Sequence, residues 1–220
     1  MSVFAQLLAQ YPRFADTLVP RADSQPIDLE TLSEPSTVIA AIGAGQRIFQ
    51  LRQPKHAGQL WFYSLCNALV APSVTVMVEF DEVPSLDIGE GMLHRVDDFW
   101  FGFSTTARRS PGDYRGSGMA FGASMSGVVD TLCALTDLRP APLWAVAADC
   151  LAMAAVQAGE EAFEEDLAAT VATELVDGLN TRHTAPAVRF DASGHLRRAS
   201  CCMIFHSPSA GMCLSCPAKV

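Results

Sequence analysis

Two hundred and twenty residues, half of them apolar, suit one generous domain or a main body with a small appendage, and supply enough hydrocarbon for a sizeable core. The net charge is −9 and only two lysines, Lys55 and Lys219, stand among fifteen basic residues, which excludes the basic stripe that neutralises phosphates and with it nucleic acid as a partner. Seven cysteines, an odd number, argue against a disulfide framework and for thiols left free to bind metal in a reducing compartment.

The start of the chain has neither a basic region nor a long apolar run before Pro12, so no secretory signal is expected. The longest apolar stretch, 141–156, is about three quarters of a membrane span and carries Asp149 within it. A cytoplasmic protein is expected, without a transmembrane segment though open to peripheral membrane contact.

Residues 2–18 predict an amphipathic helix interrupted near Pro12, followed by a polar, proline-bearing connection through Arg21, Asp23, Ser24 and Pro26. Ser33-Glu34-Pro35 reads as a helix cap with proline in the first turn, opening a helix over 38–51 that Gly43 and Gly45 weaken. Apolar residues at helical spacing continue from Gln59 to Val70 and are expected to stop before Pro72. The β-branched run 74–80 and the aromatic run 98–103 both predict strands of a small antiparallel sheet. A mobile loop is expected over 105–118, then helices over 119–135, 142–158 and 160–179, the last opened by Glu160, Glu161, Glu164 and Glu165. The fold class is therefore α+β, a mainly helical body (1–192) with a small central antiparallel sheet, and a short metal-binding segment at its end (193–220).

That end segment holds Cys201 and Cys202 side by side, then Cys213 and Cys216, a C-C-x10-C-x2-C pattern. Four thiolates complete either a tetrahedral zinc site or a two-iron cluster. Zinc sites commonly use two separated C-x2-C knuckles, whereas adjacent cysteines in extended backbone point apart, which suits the spaced ligand sites of a cluster better than one small ion. Spacing alone thus favours a two-iron cluster over zinc, and zinc over structural or redox cysteines.

The run Arg197-Arg198-Ala199-Ser200-Cys201-Cys202-Met203-Ile204-Phe205, followed by Cys213-Leu214-Ser215-Cys216-Pro217, closely resembles the C-terminal motif of the FhuF family of siderophore-iron reductases. The resemblance covers about the last 24 residues. It implies that Cys201, Cys202, Cys213 and Cys216 ligate a [2Fe-2S] cluster, and that the protein is an oxidoreductase passing one electron to a ferric siderophore so that Fe(II) is released. Chelators built from hard oxygens hold Fe(III) far more tightly than Fe(II), so one electron opens the complex. Arg197 and Arg198 could stabilise the more negative reduced cluster or guide a donor, or be surface arginines holding the segment to an acidic body.

Other residues admit plainer readings. Cys66, Cys133 and Cys150 lie in apolar stretches as small hydrophobes. His195 and His206 flank positions that four cysteines already fill. Arg108, Arg109 and Arg115 could grip the oxygen rim of a chelate, or merely solvate their loop. Trp61, Trp100 and Trp144, with Phe99, Phe101 and Phe103, could line a substrate surface but are expected in the core, where one of them being exposed would be unremarkable. Asp97, Asp98 and Asp149 have no context that singles them out. No glycine fingerprint for a dinucleotide is present, so electrons must come from a separate donor. Two other functions remain open on this reading: a non-catalytic siderophore-binding or assembly protein with a structural zinc or cluster, and an iron-sulfur redox sensor.

Overall fold

The computed structural model describes residues 2–191, 195–213, 216, 217 and 219. The chain opens with α1 (Val3–Gln10), whose first turn is capped by the Ser2 hydroxyl accepting from the Ala5 N–H at 3.2 Å. A 3₁₀ turn at Pro12–Phe14 and the short α2 (Ala15–Leu18) follow, so the interruption falls where Pro12 removes a donor. The polar connection then contains β1 (Gln25–Ile27), an edge strand on which Pro26 is tolerated.

Asp28 caps α3 (Leu29–Ser33), and α4 (Pro35–Phe49) starts directly on Pro35. Its cap is Glu34 in extended backbone rather than Ser33, which belongs to the preceding helix. Gly43 and Gly45 do not break α4: Gly45 lies so close to the Phe99 ring that a Cβ would sit 3.0 Å from it, so its smallness serves packing.

The largest departure from expectation is α5 (Pro54–Glu79), which runs through Pro72 and absorbs the segment predicted as a strand. Val74, Val76, Met77 and Val78 are buried, and the Thr75 hydroxyl donates to the Ala71 carbonyl at 2.8 Å. Helix propensity separates valine from alanine by only tenths of a kcal/mol, about 0.7 at most, whereas burying one such side chain is worth roughly 1.5–3 kcal/mol. Burial against α1, α4, α7 and the sheet therefore decides the conformation.

The sheet is a three-stranded antiparallel meander in the order β1, β2 (Gly91–Arg95), β3 (Phe101–Thr105), with Leu93 opposite Phe103. The aromatic run thus supplies β3, while β2 has no β-branched residue to announce it. Phe101 and Phe103 turn into the core, and Gly102 leaves room for the buried His94 ring, which a Cβ there would overlap.

The connection after β3 is shorter and more constrained than predicted. The Arg109 N–H donates to the Val83 carbonyl at 2.8 Å, and Asp113 caps α6 (Tyr114–Leu135), which takes Arg115 into its first turn. α7 (Pro140–Ala162) and α8 (Glu165–Leu179) complete the bundle. Glu160 and Glu161 end α7, and Phe163 in a left-handed conformation turns the chain, so the acidic first turn of α8 is Glu165 and Asp166 instead of the predicted quartet.

α7 packs against α5 and α8, and α6 against α8, around Trp61, Phe62, Phe99, Phe103 and Phe121. By length and composition α5, α6 and α7 could each cross a membrane, so the apolar stretch that reads as three quarters of a span lies in a helix of 23 residues. Their most apolar windows are 72%, 50% and 72% buried within the protein itself.

Candidate metal centre

After α8 the chain forms an irregular connection, makes an antiparallel bridge between Phe190 and Leu196, and then crosses the outside of α5 and α7. Asp149 fixes where it crosses. This carboxylate is the lone charge in α7 before Glu160, and an unpaired buried charge costs several kcal/mol. It accepts from the Ala199 N–H at 3.0 Å, the Ser200 N–H at 2.8 Å and the Ser200 hydroxyl at 2.6 Å, and it faces Arg198 Nε at 3.7 Å. One residue further, Gln59 Nε2 of α5 donates to the Cys201 carbonyl at 2.7 Å. Two body helices thus grip the chain immediately before its first thiol.

Beyond Cys202, Met203 takes a left-handed conformation (φ 65°) and a 3₁₀ turn at Ile204–His206 bends the chain away. It returns at Cys213, whose carbonyl accepts from the Cys216 N–H at 3.1 Å in a tight turn. The four thiols gather in one place. Cys201 Sγ and Cys216 Sγ are 3.8 Å apart, and Cys202 lies within electrostatic range of both Cys201 and Cys213. Two thiolates bound tetrahedrally at roughly 2.3 Å from a metal are themselves separated by roughly 3.8 Å. Among the described residues no group of three or more His, Cys, Asp or Glu closes on a single ion.

Arg198 supplies the counter-charge. Its side chain is 2% exposed, its guanidinium lies 5.2 Å from the Tyr63 ring, and Nη1 donates to Cys213 Sγ at 3.6 Å. Nε and Nη2 are buried without a hydrogen-bond partner, donors that the acceptor sulfurs of an anionic cluster can satisfy. Burial pushes the Cys201 thiol up to about 11 and raises that of Cys202, where Arg198 acts in the opposite sense. Burial also pushes the Tyr63 hydroxyl up to about 12, which keeps it neutral beside Arg198. The donor set and its unsatisfied counter-charge therefore fit a thiolate-bound [2Fe-2S] cluster.

The two arginines that sequence treats alike separate here: Arg197 is exposed and lies 3.9 Å from Asp191. His195 is exposed beside Asp191 at 3.6 Å, and His206 stacks on His56 with ring centroids 3.7 Å apart. Cys66 and Cys150 are core residues and Cys133 is half-buried. Arg108 pairs with Glu82 at 2.5 Å and Arg109 with Asp113 at 3.5 Å, while Arg115 is exposed on α6. Arg108 borders a cavity with Glu90 and Thr105 that none of the terminal cysteines lines. Trp100 is exposed, and the other five aromatics are buried. Sequence reasoning passed over Asp149, Gln59 and Tyr63. The signal that could have found Asp149 is its isolation, since a lone carboxylate in an apolar helix requires partners from elsewhere in the chain.

The protein is a mostly helical body that carries four clustered thiols on its C-terminal segment. Residues 198–217 match the family model of the FhuF 2Fe-2S C-terminal domain, so the chain ends in an FhuF-type iron-sulfur segment. No curated protein matches the chain.

Proposed function

We propose that Cys201, Cys202, Cys213 and Cys216 would together hold a [2Fe-2S] cluster. In this reading 193–220 is the cluster segment, 1–192 is the body that carries it, and the protein is a cytoplasmic ferric-siderophore reductase. The observation that supports it best is the gathering of four thiols, Cys201 and Cys216 at a tetrahedral edge length, within a segment matching an iron-sulfur family.

When bound, the cluster supplies one electron at a time to chelated Fe(III), which leaves as Fe(II) because its oxygen ligands hold the softer ion weakly. Arg198 stabilises the added negative charge at Cys213, and Asp149 holds Arg198 in place. Cys202 and Cys216 are buried and turn the centre's inner side away from water, while half-buried Cys201 and Cys213 form the edge a chelate can approach. A purely structural metal staple is less needed in this protein, since Asp149 and Gln59 already fasten the segment without metal.

Anaerobically purified protein should contain about two irons and two sulfides per chain and give a paramagnetic signal after dithionite. Adding a ferric trihydroxamate to the reduced protein should reoxidise it stoichiometrically with release of Fe(II). Zinc in place of iron, or a reduced cluster that the ferric complex leaves unchanged, would refute the reductase reading.

A further inference from the structure

Met203 holds a backbone conformation that its side chain disfavours. Among the described residues four that are not glycine have positive φ: Gln50, Asp81, Phe163 and Met203. Gln50 and Phe163 end α4 and α7, and Asp81 follows the C-cap of α5, positions where a left-handed residue commonly closes a helix. Met203 follows no helix. An L side chain at φ 65° crowds the carbonyl that follows it, so such a residue persists only where its surroundings impose it.

Those surroundings are two neighbouring thiols. The Met203 N–H donates to Cys201 Sγ at 3.3 Å. The next amide, that of Ile204, bonds toward Cys202 and favours the charged form of its thiol. In both cases a sulfur is met by the N–H two positions further on. Extended chain would carry that N–H about 7 Å away, so a bend is required. The φ and ψ of Met203 decide where the Ile204 N–H points. Asp149 and Gln59 hold residues 199–201 to the body, so the chain enters this bend from a fixed direction.

We infer that Met203 is a positioning residue for electron transfer: its left-handed turn aims the Ile204 N–H at Cys202 while its own N–H meets Cys201, and the two successive amides favour the reduced, more negative cluster. The inference rests on the cluster assignment of the proposed function and not on the siderophore. Successive N–H groups around such a turn form a concavity for anionic groups, and donors to ligand sulfurs tune a cluster's potential. One electron from a one-electron carrier protein adds one negative charge to the centre, no bond forms or breaks, and part of that charge falls on the ligand sulfurs these amides face. The role belongs to the backbone of residue 203 and not to its thioether.

Substitution should therefore run against chemical likeness. Glycine and asparagine tolerate positive φ, whereas valine, apolar like methionine, does not. Met203→Gly and Met203→Asn should change the reduction equilibrium of the cluster by less than about twofold, while Met203→Val should disfavour reduction about tenfold, which is about 59 mV for a one-electron couple. A dye-linked redox titration reads all three. A shift in the glycine variant without one in the valine variant assigns the role to the side chain and overturns the inference, as do three unchanged potentials. Should Met203→Val assemble no cluster, the unsubstituted protein decides. Ile204 is the sole isoleucine after Ile88, so protein labelled with nitrogen-15 isoleucine should show a nitrogen-15 hyperfine coupling to the reduced cluster in pulsed paramagnetic resonance. Absence of that coupling overturns the inference. Protein that takes up zinc instead of iron overturns both this inference and the proposed function. A cluster that couples as expected, yet is not reoxidised by the ferric complex, leaves the role of Met203 standing and refutes the reductase reading alone.

Discussion

Arg198 and Asp149 are each expensive to bury alone and are stable only together, because the carboxylate also collects two backbone N–H groups and a hydroxyl. Arg198 is thereby a fixed positive charge beside Cys213. A unit charge roughly 7 Å from the redox centre, at an effective dielectric near 20, is worth about 100 mV for a one-electron couple. Arg198→Gln should therefore make the cluster potential more negative by about that amount, as read by a dye-linked redox titration, while Arg197→Gln, altering a group mostly in water, should shift it little. Sequence exposes the four cysteines because their spacing is local. It hides Asp149 and Gln59, because their partners lie 50 and 142 residues away and no periodicity encodes such a pairing.

Among the elements, α5 shows where local reading loses to packing. A proline and a β-branched run both argue for an end near residue 71, yet the surroundings of 72–78 are apolar on every side and a continuous helix fills them. The contact of α6 with α8 depends on glycine for a different reason. A Cβ on Gly118 would overlap the Leu175 carbonyl, and one on Gly178 the Arg115 carbonyl, so the two backbones approach with no side chain between them. Gly118→Ala should cost about 1–3 kcal/mol of stability by overpacking, despite the better helix propensity of alanine, and chemical denaturation would measure it. Nothing in the local sequence of α6 distinguishes this glycine from Gly127, which meets only a serine side chain.

For the molecule as a whole, composition and helix periodicity are enough to recover a mainly helical body with a small antiparallel sheet. The order of the sheet and the seat of residues 198–202 depend on contacts between distant parts of the chain, which no local pattern encodes. Metal and stability are linked through the thiols. In the metal-free protein, burial raises Cys201 from 9.0 to about 11, so the folded state binds more protons than the unfolded state between those values. The stability due to that proton is complete below about pH 9 and is lost as pH rises through 11. The melting temperature of the metal-free protein should fall across this window, and more shallowly in Cys201→Ser; equal slopes would show that the thiol does not sense its burial.

The grip of Asp149 and Gln59 on residues 199–201 is made entirely of protein groups. Cys201 and its neighbour Cys202 consequently stand in position through protein contacts alone, and much of the entropy cost of ordering them is met during folding. Cys213 and Cys216 are also in place without metal, Cys213 beside Arg198 and Cys216 beside Cys201. On the proposed function, the segment would therefore fold before it takes up metal, the reverse of small metal-dependent domains that remain unfolded until their ion binds.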